Sequence, residues 1–352
     1  AQTLGSAVVF ESAASSPIKS TFDSNSNRIV IIYRDGGNGN FGTAIVGTVD
    51  SSDNSISFGT PVVFSPTGGA GLGVELAVTF DSNSNKVVVA YVDGAASDIG
   101  KAIVGTVDSS DNSISFGTAV TFENANITSS ETIGLVFDSN SNKVVISYRD
   151  NGNSQYGTAI VGTVSGTDIS FGSPVVFLSA TNSFIASTFD STNNKVIIAY
   201  KDGGNSNNGT AIVGTVSGTG ISFGSEAVFT ASNSYFDPLG FPIAHDSNAN
   251  KIVIAYPDQG DGFDGEFVIG TVSGTSISFS SSADFETDTV EHVALVFDSN
   301  VNKFAIAWRD GGNSNYGTVR SLQLAYNNTT NTLTSENYIG IASGGTYADT
   351  AE

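Results

Sequence analysis

Six copies of one motif, Phe-Asp-Ser-Asn-Ser-Asn followed by Lys-Val-Val-Val-Ala-Tyr or a close variant, begin at Phe22, Phe80, Phe137, Phe189, His245 and Phe297. Their starts lie 58, 57, 52, 56 and 52 residues apart. That spacing is too long for one coil of a solenoid and matches the length of a four-stranded propeller blade. Units so alike bury their apolar faces on each other. The chain therefore reads as one cooperative domain over residues 1–332, with an exit tail or the start of a further segment at 333–352.

Each repeat holds four strand-like runs, A to D, which in the fourth cover residues 184–190, 194–202, 209–217 and 221–229. Asp-Ser-Asn-Ser-Asn joins A to B, and such residues tolerate left-handed backbone and cap their own turns. Strand B (Val87, Val88, Val89, Ala90, Tyr91) and strand C (Ala159, Ile160, Val161, Gly162) are apolar at successive positions, so both faces are expected to be covered. A propeller does this by packing each blade between two others. The fold class expected is all-β: a six-bladed β-propeller of four-stranded antiparallel blades. Glycine inside strand C (Gly47, Gly105, Gly162, Gly214, Gly270) would admit a neighbour's aromatic ring, and the motif phenylalanines are read as core between blades. Seven runs resemble strand D, because residues 4–10 match residues 171–177 with no A to C ahead of them. This orphan is expected to close the ring as the outer strand of the last blade, beside residues 317–325.

With 34 acidic and 13 basic residues the net charge is −21, which argues against nucleic acid or an anionic membrane surface as partner. No apolar run is long enough for membrane insertion. Cysteine is absent, so disulfides, thiolate metal sites and cysteine nucleophiles are excluded. Methionine is absent even at position 1, which suggests a processed chain or a piece of a longer polypeptide. A sulfur-free, acidic chain rich in Gly, Ser and Asn fits an extracellular or virion-surface location.

The crossovers from D to A, residues 11–18, 65–73, 123–132, 178–183, 230–239 and 286–291, share almost nothing although the strands around them are near copies. They emerge with the B-to-C loops on one face, and variable loops on a constant scaffold make a binding surface. Arg34, Arg149, Lys201 and Arg309 end strand B on that face, each beside an aspartate. The arginines are candidate ligand contacts with local ion pairs as the alternative. Arg28, Lys86, Lys143, Lys195, Lys251 and Lys303 begin strand B and are expected to pair with the turn aspartates. The fifth repeat departs most: its B-to-C loop gathers Asp258, Asp261, Asp264 and Glu266, hard oxygen donors on a glycine-rich loop that suit Ca2+. Tyr235, Phe236, Asp237 and Phe241 precede His245 there, and aromatic rings beside acids suit a sugar face. A glycoside hydrolase, the second alternative, would need two carboxylates roughly 5–10 Å apart. Glu75, Glu131, Asp288 and Glu291 are the acids placed for that role. With two histidines and no nucleophile motif, a catalytic triad is not expected.

The A–B motif, together with Asp-Gly-Gly-Asn-Ser-Asn-Tyr-Gly-Thr-Ala-Ile-Val-Gly-Thr-Val, resembles repeats in tail-fibre and other virion appendage proteins of marine tailed bacteriophages, and in long secreted proteins of marine bacteria. Glu336-Asn-Tyr-Ile-Gly-Ile-Ala-Ser343 and Tyr347-Ala-Asp-Thr-Ala351 look like a segment that follows such repeats in tail proteins. The resemblance implies an adhesive or receptor-binding module, joined to other segments of a fibre or longer polypeptide, and carries over no catalytic residue. The function expected is a non-catalytic binding head for a cell-surface glycan or receptor; the alternative is a structural spacer in a fibre or sheath.

Overall fold

The structure, a computed structural model, describes residues 5–66, 72–127, 133–231 and 241–324. It is built from antiparallel strands, with only three one-turn 3-10 helices. The first repeat contributes β1 (Ser15–Asp23), β2 (Arg28–Asp35), β3 (Phe41–Val49), β4 (Ile56–Phe58) and β5 (Val62–Ser65). The second has β6 (Leu72–Asp81), β7 (Lys86–Asp93), β8 (Ile99–Asp108), β9 (Ser113–Phe116) and β10 (Val120–Asn126). In the third, β11 (Gly134–Asp138), β12 (Lys143–Asp150), β13 (Tyr156–Ser165) and β14 (Asp168–Phe171) lead into β15 (Val175–Asp190), which continues without a loop into the fourth. That repeat adds β16 (Lys195–Asp202), β17 (Asn208–Ser217), β18 (Gly220–Phe223) and β19 (Ala227–Thr230). The fifth consists of β20 (Ile243–Asp246), β21 (Lys251–Asp258), β22 (Asp264–Ser273), β23 (Ser276–Phe279) and β24 (Ala283–Glu286), and the last of β25 (Val290–Asp298), β26 (Lys303–Asp310) and β27 (Tyr316–Leu322).

The chain is all-β and propeller-like, but it does not form six equal four-stranded blades. Pairing yields three five-stranded sheets, one nine-stranded sheet in which the third and fourth repeats share β15, and one three-stranded sheet. Four sheets thus carry a full strand set and the fifth is incomplete. The outer strand D is broken in two, as β4 with β5 and β9 with β10, and both halves bond to strand C. The break falls where D crosses the next repeat: a side chain at Gly59, Gly117, Gly172 or Gly224 would overlap a carbonyl oxygen of the following C-to-D turn. The crossover expected at residues 178–183 is strand, lying within β15. Among the described residues β27 pairs only with β26 and residues 5–10 form no strand with it, so the expected closure is not made in this structure.

The turn chemistry follows the sequence closely. Asp23, Asp81, Asp138, Asp190 and Asp246 each accept backbone N–H groups two and three residues on through Oδ1, at 2.8–3.0 Å. The last Asn of each turn, from Asn27 to Asn302, is left-handed with φ of 53–56°. Because backbone amides satisfy these aspartates, strand-B cations go elsewhere: Arg28 Nε donates to Asn112 Oδ1 (2.6 Å) of the next repeat and Lys251 Nζ to Thr271 Oγ1 (2.8 Å).

Apolar clusters join each repeat to the next, from first-with-second to fifth-with-sixth. Among the described residues no such cluster joins the sixth repeat to the first. Strand B is continuously buried from its second to its sixth residue in β7, β12, β16 and β21, and alternates in β26. Two-sided burial therefore holds inside the array and fails at its end. Phe137 is buried as expected of core, whereas Phe22 is 53% exposed, with no neighbouring repeat among the described residues to cover it.

Candidate functional face

Strand A begins beside the end of strand B, as in the pairs Ser15↔Asp35, Asn182↔Asp202 and Val290↔Asp310. The D-to-A crossovers and the B-to-C loops therefore share one face, as the repeat pattern implies. Backbone hydrogen bonds tie the two sets of loops together: Gly36 N to Ala14 O, Gly203 N to Thr181 O and Gly311 N to Thr289 O, each 2.8 Å. A Cβ at Gly36 or Gly311 would stand 2.7–2.8 Å from the same carbonyl oxygen, which explains the glycine after Asp35 and Asp310. The aspartates Asp35, Asp150, Asp202, Asp258 and Asp310 cap these loops by accepting N–H groups at 2.8–3.1 Å. Loops of very different sequence are thus held by one constant frame.

The frame also carries a feature the sequence reading missed. Strand A has a register shift near its start in four repeats, between Ser15 and Ile18, Leu72 and Leu76, Ser183 and Ala186, and Glu291 and Ala294. Such bulges re-aim side chains and gather at functional rims. Phe184 (φ 57°) and His292 (φ 55°) adopt left-handed backbone there, an uncommon state for side chains of this size. The Lys201 ammonium sits 5.7 Å from the centre of the Phe184 ring. No turn signature marks these bulges, and only the loss of likeness between repeats at that point could have suggested them.

The candidate residues divide. Arg34 is part-buried at the end of β2, Arg149 donates from Nε to Asn151 Oδ1 (3.1 Å), and Arg309 forms an ion pair with Glu291. Local pairing therefore holds two of the three. Phe241 is not a ligand platform: it is 1% exposed and packs edge-on against Phe229 at 5.1 Å inside the core. His245 is also interior, with Nε2 3.1 Å from Asp190 Oδ1 of the preceding repeat. Burial alone would raise the Asp190 carboxyl. The imidazole of His245, the Asn193 side chain (2.7 Å) and backbone N–H groups outweigh it and hold the group down at about 2. Tyr235, Phe236, Asp237 and Glu131 lie outside the described residues.

The acidic loop is rearranged relative to expectation. Glu266 stands opposite Tyr256 across the β21–β22 pair and interacts with its hydroxyl, within reach of the Asp258 and Asp284 charges. Burial, then the charge of Asp261, Asp284, Asp288 and Asp258, raises the Asp264 carboxyl. Among the described residues no three His, Asp or Glu side chains are gathered so as to hold a metal ion. The aspartates repel one another without converging, so the expected calcium quartet is not preformed. Of the acids considered for glycoside hydrolysis, Glu75 is 4% exposed and Glu291 is neutralised by Arg309. Asp288 leans over Gly312.

No protein-family model matches the chain, and no curated protein sequence does. Solved structures share its fold. A candidate 6-phosphogluconolactonase from Bacteroides uniformis is similar with a TM-score of 0.61 at 12% identity, over 94% of this chain and 88% of that one. A protein from Lactobacillus plantarum gives 0.60 at 10% identity, over 90% and 82%. AofleA from Arthrobotrys oligospora gives 0.52 at 7% identity, over 87% and 82%, as does its triple arginine-to-alanine variant. At these identities the likeness concerns the fold alone.

Proposed function

We propose that this protein is a non-catalytic binding module, displayed outside the cell or on a virion, that takes a cell-surface glycan on the loop face. The observation that carries this reading is the contrast on that face: the crossovers differ in every repeat, while the aspartate caps and loop-to-loop backbone bonds that hold them are repeated. Constancy of frame with variety of display is what recognition requires and what a single catalytic centre does not. The part-buried ring of Phe184, the exposed His292 and the cations at the ends of strand B are suited to sugar hydroxyls and faces. The pairing of Glu291 and the burial of Glu75 speak against a glycosidase dyad. No helix among the described residues is long and apolar enough to cross a membrane.

A glycan array and whole-cell binding assay on the purified chain tests the reading, run with calcium and with chelator. The expected result is saturable binding that Phe184→Ala weakens at least tenfold while the melting profile is retained. The chelator arm asks whether calcium recruits Asp258, Asp261 and Asp264 with Asp284 and Asp288, so Asp261→Asn with Asp264→Asn should copy its effect. Folded protein that binds no glycan and no cell in either condition refutes the proposal and favours the spacer. Product release from any glycan would instead mark an enzyme.

A further inference from the structure

The two ends of the array are complementary halves of an interface that the structure already makes five times. Inside it, a strand-D phenylalanine packs on strand B and strand D of the next repeat. Phe64 meets Tyr91 (5.5 Å) and Phe116 (5.6 Å), Phe122 meets Tyr148 (5.3 Å) and Phe171 (5.9 Å), and Phe177 meets Tyr200 (5.1 Å) and Phe223 (5.7 Å). Phe10 does the same at the start, 5.3 Å from Tyr33 and 6.0 Å from Phe58. A side chain at Gly5 would overlap the Asn54 carbonyl as one at Gly59 would overlap that of Asn112. Residues 5–10 are thus seated as a strand D whose own strand C is missing.

The other end lacks the converse. Strand C carries a glycine against which its own repeat's phenylalanine ring lies: a Cβ at Gly42, Gly157, Gly209 or Gly265 would stand 2.5–2.6 Å from Phe64, Phe177, Phe229 or Phe285. At Gly317, in the same position of β27, nothing among the described residues lies within 4 Å. Tyr316 and Val319 beside it, and Val296 on β25 of the same sheet, are 60–65% exposed. At the equivalent of Val319 in the third repeat, Ala159 is fully buried. An unpaired strand edge flanked by exposed apolar side chains is a template for another strand.

We infer that the β27 edge is completed by residues 5–11 of a second copy of this chain, joining copies head to tail. The register follows from Gly42↔Ser65, Thr43↔Val63 and Ala44↔Val62 in the first repeat. It sets Gly317 opposite Glu11, Thr318 opposite Val9 and Val319 opposite Val8, with the Phe10 ring over Gly317. The second copy's Ile29, Ile31 and Tyr33 then cover Ala305 and Val319, as Val196, Ile198 and Tyr200 cover Val145 and Ala159 between the third and fourth repeats. Each copy has one end of each kind, so the contact is heterologous and can propagate. A second copy seats without altering any of the five interfaces already formed, whereas the chain's own residues 5–10 rest on Tyr33 and away from β27. The charge of −21 opposes association, so added salt strengthens it.

The absence of cysteine makes the test clean. Chains carrying Val8→Cys alone and Val319→Cys alone are mixed and oxidised, since directly opposed strand residues can be bridged. The expected result is a covalent dimer from the mixture, and from the doubly substituted chain a ladder that lengthens with concentration. Gly317→Val and Phe10→Ala should each weaken association at least tenfold in light scattering while circular dichroism stays unchanged. Cross-linking of the double variant only within single chains, at every concentration, would mean that the ring closes on itself and overturns the proposal. A wild-type chain that stays monomeric together with a mixture of the single-cysteine chains that gives no covalent dimer, the edge being capped by residues 325–352 or left bare, overturns it as well. Glycan binding is read independently, so loss of either activity leaves the other proposal standing.

Discussion

Substitution of the strand-C glycine by alanine should separate the interior of the array from its end. In the third repeat a Cβ on Gly157 would lie 2.5 Å from Phe177 Cε2, 2.6 Å from Cζ and 2.7 Å from Asn182 Nδ2. Ordinary contact to a ring carbon begins near about 3.4 Å, so the ring must retreat by ~1 Å. It has nowhere to go, because Phe177 is 6% exposed and lies between Tyr200 and Phe223. Overpacking of this kind costs about 1–3 kcal/mol, less the ~0.5–1 kcal/mol that alanine gains over glycine within a strand. Gly317→Ala meets no atom of the described residues within 4 Å, so only the gain applies and that variant should be neutral to slightly more stable. Urea unfolding at low protein concentration reads the difference, with circular dichroism for the whole array and the single tryptophan, Trp308, for the last repeat. Gly157→Ala should lower the midpoint at constant slope and Gly317→Ala should not. Equal destabilisation of both would refute the account of the glycine as the seat of a ring, and with it the claim that the last repeat lacks one.

The other predictions concern charge and turns. Asp190 ionises at about 2 in the folded state against 3.8 ordinarily, so its contribution is complete above the ordinary value and is lost as pH falls from about 4 towards 2. Asp190→Asn should cost about 2 kcal/mol at pH 7 and flatten the acid limb of a stability-versus-pH curve; an unchanged limb would show that the His245 contact is idle. Glu266 is displaced the other way, raised first by burial, so its penalty grows as pH climbs through its folded value. Glu266→Gln should therefore lose less stability than the wild type between pH 4 and 7 in parallel melts, and a steeper loss would contradict the assignment. At Asn142, φ of 54° suits asparagine or glycine. Asn142→Val should lower stability by about 1–2 kcal/mol and Asn142→Gly by a few tenths, and the thermal midpoints should rank in that order.

What was legible in the sequence was whatever recurs. Asp-Ser-Asn-Ser-Asn predicted its own turn because the capping carboxylate, the amides it accepts and the left-handed asparagine all lie within a few residues. Continuous apolar runs in strand B predicted two-sided burial, which holds in the four inner repeats. Features that need a partner far along the chain were not legible. His245 looked like a surface anomaly and is an interior one, because its partner Asp190 belongs to the neighbouring repeat. Phe241 looked like a sugar platform because proline and aspartate surround it in sequence, yet its ring is fixed by Phe229. Spacing alone groups the four acids of the fifth loop, yet Glu266 interacts with the hydroxyl of Tyr256, a partner fixed by the β21–β22 register and not visible in the loop sequence.

The ends of the array show why periodicity misleads where it stops. In a repeat protein each unit is specified by contacts with its neighbours, so near-identical residues meet different surroundings at the first and last positions. Ile31, inside β2, is only part-buried, while the equivalent Ile198 in the fourth repeat is fully enclosed. Ala305 is part-buried where Val145 is enclosed, and the alternation in β26 is the same effect read along a strand. A reading that averages over copies assigns every repeat two neighbours, and on that basis closure by residues 4–10 looked required. Among the described residues the N-terminal half of that contact is satisfied and the other half is open at Gly317. The unsatisfied half is therefore where a difference between one chain alone and many chains together should first be measured.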